Sequence, residues 1–277
     1  MILREAVILK RKTAVISYNK VQSELCRKLT ERGCECQEIS FYNTHLLKEH
    51  LEGFEDIILP FPSKRENIGF LTEGAELSQV LGEKHTVIGG LIEDEIKKDL
   101  DEARIPYIDY FENEDYVLKN AFITSQGALR LLLENTESFL VGKNVLITGF
   151  GRIGKSLAVM LKALGMNVFV AARSETARAE AEAMGFTAFN LSKMKSTLFY
   201  YSFIFNTVPF LIFSDEDIKR IPKSIVYFEL ASKPYGADRD SFDNYLKKYV
   251  AGAALPGKLF PEAVAENIAH FIESRGR

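Results

Sequence analysis

Apolar and polar positions divide this chain into short apolar runs separated by charged stretches of helical period. Residues 145–147 are an apolar run of strand character, followed by glycines at 149, 151 and 154 and then by Leu157, Leu161 and Leu164 at helical spacing. Gly165 stops that helix, residues 167–172 read as the next strand, and residues 176–184 as a helix closed by Gly185. Residues 201–205 and 225–230 are further buried strands. Residues 13–110 show the same alternation. Strands at 13–17, 36–40, 56–60, 86–90 and 106–110 surround a helix at 23–32 with Gly33 as its stop. A helix is expected from residue 120 to about 139, with Thr124 or Ser125 as N-cap, and the last helix follows Pro261 through Val264, Ile268, Phe271 and Ile272. Strands alternating with helices predict an α/β protein of two open parallel-sheet domains.

The segment Thr148-Gly149-Phe150-Gly151-Arg152-Ile153-Gly154 sits between a strand and a helix, the context in which G-x-G-x-x-G carries meaning. Gly149 permits the tight turn, Gly151 lets the backbone approach a pyrophosphate, and Gly154 lets the helix pack on the strand. The alternative is a chance glycine cluster in an ordinary βα turn. On the first reading the second domain is a Rossmann dinucleotide-binding domain. An NAD-type fingerprint places an acid near the end of the next strand, but here the chain continues Ala172-Arg173-Ser174. A guanidinium and a hydroxyl suit a 2′-phosphate, which predicts NADP over NAD; otherwise Arg173 is a solvated loop residue. Asn206-Thr207-Val208-Pro209 and Ala231, at later strand ends, are expected to meet the cofactor. Ser17-Tyr18-Asn19-Lys20 follows the first strand in place of a glycine fingerprint, so the first sheet is the substrate-side domain. The expected boundaries are 1–120 plus the closing helix 258–277, and 121–257.

With 277 residues there is room for two cores, and 47% hydrophobic and 26% charged residues are ordinary for a globular chain. A net charge of -3 gives no reason to expect nucleic acid or an anionic membrane as partner. Residues 198–213 are aromatic and uncharged, yet shorter than a membrane span and interrupted by Asn206 and Pro209. A buried strand leading into a ligand-facing turn explains them. Glu5 stands where a signal peptide would place its apolar core, so a cytoplasmic protein is expected. Cys26, Cys34 and Cys36 fit neither a disulfide framework nor a zinc pattern; reduced thiols and no metal are expected.

Candidate substrate groups follow from charge at strand ends. The proline-stiffened turn Pro60-Phe61-Pro62-Ser63-Lys64-Arg65 either holds a substrate carboxylate or is a basic surface loop. Lys233, in Ala231-Ser232-Lys233-Pro234, is open to the same two readings. Thr124, Ser125 and Ser232 can add hydrogen bonds to substrate. His45, His50 and His85 have no ligand spacing and are expected on the surface.

Taken together, Asn206-Thr207-Val208-Pro209, Leu230-Ala231-Ser232-Lys233-Pro234, Leu255-Pro256-Gly257 with Pro261, and the glycine loop running into Ala172-Arg173-Ser174 resemble the dipicolinate synthase A-subunit family. The likeness is strong over residues 120–270 and weak before residue 55. It implies NADP-dependent oxidation of a dihydrodipicolinate-type ring to pyridine-2,6-dicarboxylate, a small dicarboxylate substrate, and a separate flavoprotein-like B-subunit. It further implies the mother cell of a sporulating bacterium; a homo-oligomer is expected as well. Lys233, Ser232 and Gln126 stand at the positions expected to be catalytic. The chain departs from the family in Gln126 where a Glu is usual, Glu229 for Asp, Lys233 for Arg and Tyr235 for Gly. Gln126 puts the proton-accepting role in question. Other readings of the same architecture are a 2-hydroxy-acid dehydrogenase, an amino-acid dehydrogenase with its groups near Lys64 or His85, and a non-catalytic NADP-binding subunit. The 2-hydroxy-acid reading needs a late histidine, and only His270 is available.

Overall fold

The computed structural model describes residues 11–17, 19–40, 47–68, 76–245 and 247–275. The chain divides into two compact units, Met1–Asn120 with Phe260–Arg277, and Ala121–Leu259. Both are α/β units built on parallel sheets.

In the first unit, β1 (Thr13–Ser17), α1 (Lys20–Glu31), β2 (Cys36–Ser40), α2 (Leu47–Leu51), β3 (Asp56–Ile58), α3 (Arg65–Ile68), β4 (Thr86–Gly89), α4 (Asp94–Glu102) and β5 (Tyr107–Asp109) follow in chain order. The strands pair in the order β2-β1-β3-β4-β5. Ala14, Ile16, Ile57, Val87 and Leu100 form part of its core. The division falls within α5 (Glu114–Glu134).

The second unit continues with β6 (Asn144–Thr148), α6 (Arg152–Ala163), β7 (Asn167–Ala172), α7 (Glu175–Ala183), β8 (Thr187–Asn190), β9 (Phe203–Asn206), α8 (Asp215–Arg220), β10 (Val226–Glu229), α9 (Arg239–Asn244), β11 (Lys248–Ala251) and α10 (Leu255–Leu259). Val145, Leu146 and Ile147 are fully buried, because a parallel sheet is covered on both faces and its strands read as continuous apolar runs. One face packs Val145 and Ile147 with Leu157 and Leu161 of α6; the other packs Leu146 with Ile204, Phe213, Tyr227 and Phe242. The sheet order β8-β7-β6-β9-β10-β11 is that of a doubly wound dinucleotide-binding fold, and it reverses between β6 and β9. In such sheets ligands bind at the carboxyl ends of the strands beside that reversal.

The final helix α11 (Pro261–Ser274) lies in the first unit, where Val264, Ile268, Phe271 and Ile272 are buried. Lys28 pairs with Glu262 at 3.0 Å and Arg32 with Glu273 at 3.1 Å. Such rim pairs add little, so the buried stripe anchors the helix.

Two expectations are corrected. First, the linking helix starts at Glu114. Asn113 Oδ1 accepts from Tyr116 N–H at 2.9 Å and caps it, and Glu114 and Asp115 suit its positive end. Thr124 and Ser125 are therefore mid-helix and buried, and cap nothing. Second, His85 is buried: its ring lies 2.9 Å from Gly82 N and 3.2 Å from Leu51 O, tying its own loop to the end of α2. His50 is exposed, and His45 lies outside the described residues. Within residues 198–213 the strand β9 is buried as expected, and Phe199, Tyr200, Phe210 and Leu211 flank it in exposed positions.

Candidate functional site

The structure requires two of the three fingerprint glycines, for different reasons, and leaves the third unconstrained. Gly149 has φ +87°, and a Cβ there would lie 2.5 Å from Thr207 Oγ1. A Cβ on Gly154 would lie 2.5 Å from the Gly149 carbonyl oxygen, so α6 packs directly on the turn. Gly151 has φ -83°, and a Cβ there would meet nothing within 4 Å. Neither conformation nor neighbours demand glycine at 151. What its missing side chain leaves is open space in front of the backbone.

That space lies at the start of α6. Helices α1, α7, α8 and α9 are capped by Asn19, Ser174, Ser214 and Asp238, whereas α6, like α4 and α11, has no side-chain cap among the described residues. Its first N–H groups and positive dipole end suit a phosphate. Phe150 is buried edge-on against Phe186 and anchors the turn from behind. Ile153 is half-buried against the core and Arg152 is exposed. Ser125 Oγ lies 3.0 Å from Ala121 O and 3.3 Å from Ile153 O, tying α5 to the first turn of α6.

At the carboxyl end of the neighbouring strand β7, Arg173 is exposed and its guanidinium has no partner among the described residues. Ser174 Oγ accepts from Ala177 N–H at 3.4 Å, so its role is to cap α7. A second guanidinium, Arg178, donates to the carbonyls of Ala172 at 3.0 Å and Arg173 at 2.7 Å and fixes the strand end. Sequence reasoning missed Arg178. Its signal was a basic residue one turn after the cap.

The ends of β6, β9 and β10 are fastened by a buried polar cluster. Thr148 Oγ donates to Asn206 Oδ1 at 2.6 Å, and Thr207 Oγ donates to the Thr148 carbonyl at 2.8 Å. Asn206 Nδ2 donates to Val208 O at 2.9 Å and to Glu229 Oε1 at 2.6 Å. Glu229, 1% exposed, also accepts from Tyr227 Oη at 2.9 Å and from the N–H groups of Ala231 at 3.0 Å and Gly236 at 2.8 Å. Burial pushes the Glu229 carboxyl above the usual carboxylate range, and these donors oppose the push. Glycine is obligatory at 236, where a Cβ would sit 2.3 Å from Asn206 Nδ2.

Glu229 thereby brackets the turn 231–236. Ala231 is buried, while Ser232 and Lys233 stand exposed on the turn; the Lys233 ammonium has no partner among the described residues. Pro209 is exposed and Val208 half-buried. A cavity of ≈ 290 Å³ opens beside Glu229, lined also by Tyr235, Arg239 and Tyr249. On α5, Gln126 is exposed and Thr124 buried, and Gly127 admits Leu255, whose Cβ a methyl group would meet at 2.9 Å. Thr148, Tyr227 and Gly236 were missed from sequence, and Glu229 was noted there only as a departure from the family. An acid closing an apolar strand, as in Val226-Tyr227-Phe228-Glu229, was the readable signal.

In the first unit Ser63 is fully buried, donating to Pro60 O at 2.8 Å and accepting from Gly90 N–H at 3.2 Å. Arg65 pairs with Glu76 at 2.5 Å. Lys64 is exposed and unpaired among the described residues. No group of three or more His, Cys, Asp and Glu among the described residues could hold a metal ion, and no helix there is long and apolar enough to cross a membrane.

Residues 124–210 match the family described as D-isomer specific 2-hydroxyacid dehydrogenase, NAD binding domain. The dipicolinate synthase A-subunit of Bacillus subtilis (strain 168) is 25% identical over 279 residues, covering 94% of each chain. This chain resembles that A-subunit over nearly its whole length. The crystal structure of the A-subunit from Bacillus halodurans has a TM-score of 0.81 at 21% identity, covering 97% of this chain and 98% of that one. A Salmonella D-lactate dehydrogenase structure has a TM-score of 0.62 at 12% identity, covering 96% of both. These likenesses support a dehydrogenase-type oxidoreductase with a nicotinamide dinucleotide as its cofactor.

Proposed function

We propose that this chain uses NADP to oxidise a dihydrodipicolinate-type precursor to pyridine-2,6-dicarboxylate, in the cytoplasm and together with a flavoprotein-like second subunit. The observation that carries the proposal is the start of α6, without a side-chain cap and open in front of Gly151, with the Arg173 guanidinium, unpaired among the described residues, at the end of the adjacent strand. The nicotinamide nucleotide, when bound, supplies a hydride acceptor.

The chain's own residues do the rest. The first N–H groups of α6 take the pyrophosphate, and Arg173 takes the 2′-phosphate through charge-assisted hydrogen bonds. Lys233 offers its ammonium to a substrate carboxylate from a turn that Glu229 holds rigid, and Ser232 adds a hydroxyl beside it. Gln126 orients substrate through its amide. An amide does not accept the ring proton, so that proton leaves by another group. Loss of hydride and proton makes the ring aromatic, which leaves positioning as the protein's main task.

The test mixes purified chain, with and without the flavoprotein-like subunit, with NADP or NAD and freshly generated dihydrodipicolinate precursor. Formation of reduced nucleotide together with pyridine-2,6-dicarboxylate is expected with NADP. Absence of nucleotide binding overturns the reading altogether; nucleotide binding without turnover removes only the substrate. The matched family favours a 2-hydroxy-acid dehydrogenase as second reading, and 2-hydroxy acids belong in the same assay. Against it, the second unit contains no histidine to serve as acid/base.

A further inference from the structure

The first unit carries a thiol pair that the dinucleotide chemistry does not use. Cys26 lies on α1 and Cys36 opens β2, and the chain doubles back between them through Gly33, at φ +87°. The Cys36 thiol donates to Cys26 Sγ at 3.3 Å. Both cysteines are free; Cys26 is buried and Cys36 half-buried.

We propose that Cys26 and Cys36 form an oxidisable dithiol that a two-electron oxidant of the peroxide class converts to a reversible intramolecular disulfide. The sulfurs already touch, and a disulfide needs them to close to about 2.05 Å. That is a shift of roughly an ångström, shared between one helix and one strand. The residues are ten positions apart, so closure constrains only a local turn. The hydrogen bond from Cys36 pulls the Cys26 thiol down, while burial and Glu38 oppose it; Cys36 is pushed up by the same contact. As the acceptor of that hydrogen bond, Cys26 is the sulfur whose thiolate the contact favours, and the thiolate is the nucleophile.

The chemistry balances in two steps. Cys26 sulfur attacks one peroxide oxygen, the S–O bond forms, the O–O bond breaks, and hydroxide leaves as water with the thiol proton. Cys36 sulfur then attacks the sulfenic sulfur, the S–S bond forms, the S–O bond breaks, and a second water leaves. Two electrons pass from the thiols to the peroxide. Closing the pair stops oxidation below the irreversible sulfinic stage, and a thiol reductant restores it. Cys34, whose thiol burial pushes up, takes no part.

The test treats the full chain with hydrogen peroxide and maps its peptides by mass spectrometry under non-reducing conditions. A linked Cys26–Cys36 peptide, lost on adding dithiothreitol, is expected. Cys34→Ser should keep the link; Cys36→Ser should lose it and trap dimedone at Cys26. Cys26 or Cys36 carried to sulfinic acid without a link in the unmodified chain overturns the proposal, as does a link that Cys34→Ser abolishes. The peptide map of the unmodified chain decides even where a variant folds poorly.

Discussion

At Gly151 the absence of one methyl group separates stability from binding. A side chain there meets no protein atom, so Gly151→Ala should cost no more than about 1 kcal/mol, the N-cap preference for glycine over alanine. It should weaken nucleotide binding about tenfold or more, near 1.4 kcal/mol, by filling the space a phosphate needs. Gly154→Ala should act first on stability instead: its methyl overlaps the Gly149 carbonyl and costs about 1–3 kcal/mol. Thermal melts and nucleotide titrations on both variants check the pair; equal effects on stability would remove the argument. Arg173 is the second residue whose loss should be selective. Its guanidinium makes no internal bond among the described residues, so Arg173→Ala should cost NADP about 1.5–3 kcal/mol of affinity and leave NAD and the melting temperature unchanged. Equal losses for both nucleotides in a side-by-side titration would place the 2′-phosphate elsewhere.

Among the elements, β10 shows how one carboxylate sets a turn. Each Glu229 oxygen accepts two hydrogens, so Glu229→Gln turns an amide NH2 toward two donors and should destabilise the fold by about 1–3 kcal/mol. The pH signs of Glu229 and Asp217 are opposite. Glu229 has a raised folded pKa, so the fold holds its proton more tightly than the unfolded chain does. Its contribution therefore falls as pH rises from 4.5 through the folded value. Burial raises Asp217 too, but Lys195 at 2.5 Å and the Ser214 cap outweigh it and bring the carboxyl below its usual range. Its stabilisation is present above 3.8 and is lost as pH falls through the lower folded value. Asp217→Asn should accordingly be less stable than the parent near neutrality, with the gap closing in acid; denaturant curves across that range measure it. Elements of this kind were unevenly legible. β6 and α6 announce themselves because a fully apolar run and a helical stripe each leave a strong period. α8 and α9 are six residues each, too short to repeat, and only their caps Ser214 and Asp238 mark them. The start of α5 was missed because Asn113 caps it upstream of the apolar stretch that carries the helical signal.

For the whole molecule, two α/β units could be read in advance because strand–helix alternation persists along both, whereas the polar cluster at the strand ends could not. Asn206 and Glu229 are far apart in sequence, and only the side-by-side pairing of β9 and β10 brings them together, with Gly236 reaching Glu229 through the turn between. Ser63 and Ser125 illustrate the same limit from the other side: hydroxyls at promising positions turn out to be engaged with backbone carbonyls. A nucleotide that binds the folded state alone stabilises it by about 2.7 kcal/mol at a hundredfold excess over its dissociation constant. That stabilisation is not spread evenly in hydrogen exchange, since amides that bond the ligand or lie beneath it slow first. With NADP present, protection should therefore rise at residues 149–154 and at 172–174, with the 231–236 turn following once substrate or product is added. NAD should protect the glycine turn while leaving 172–174 close to its unliganded rate, because the 2′-phosphate is what Arg173 would hold. Protection centred on the strand ends of the first unit instead would place the nucleotide on the other sheet and end the proposal.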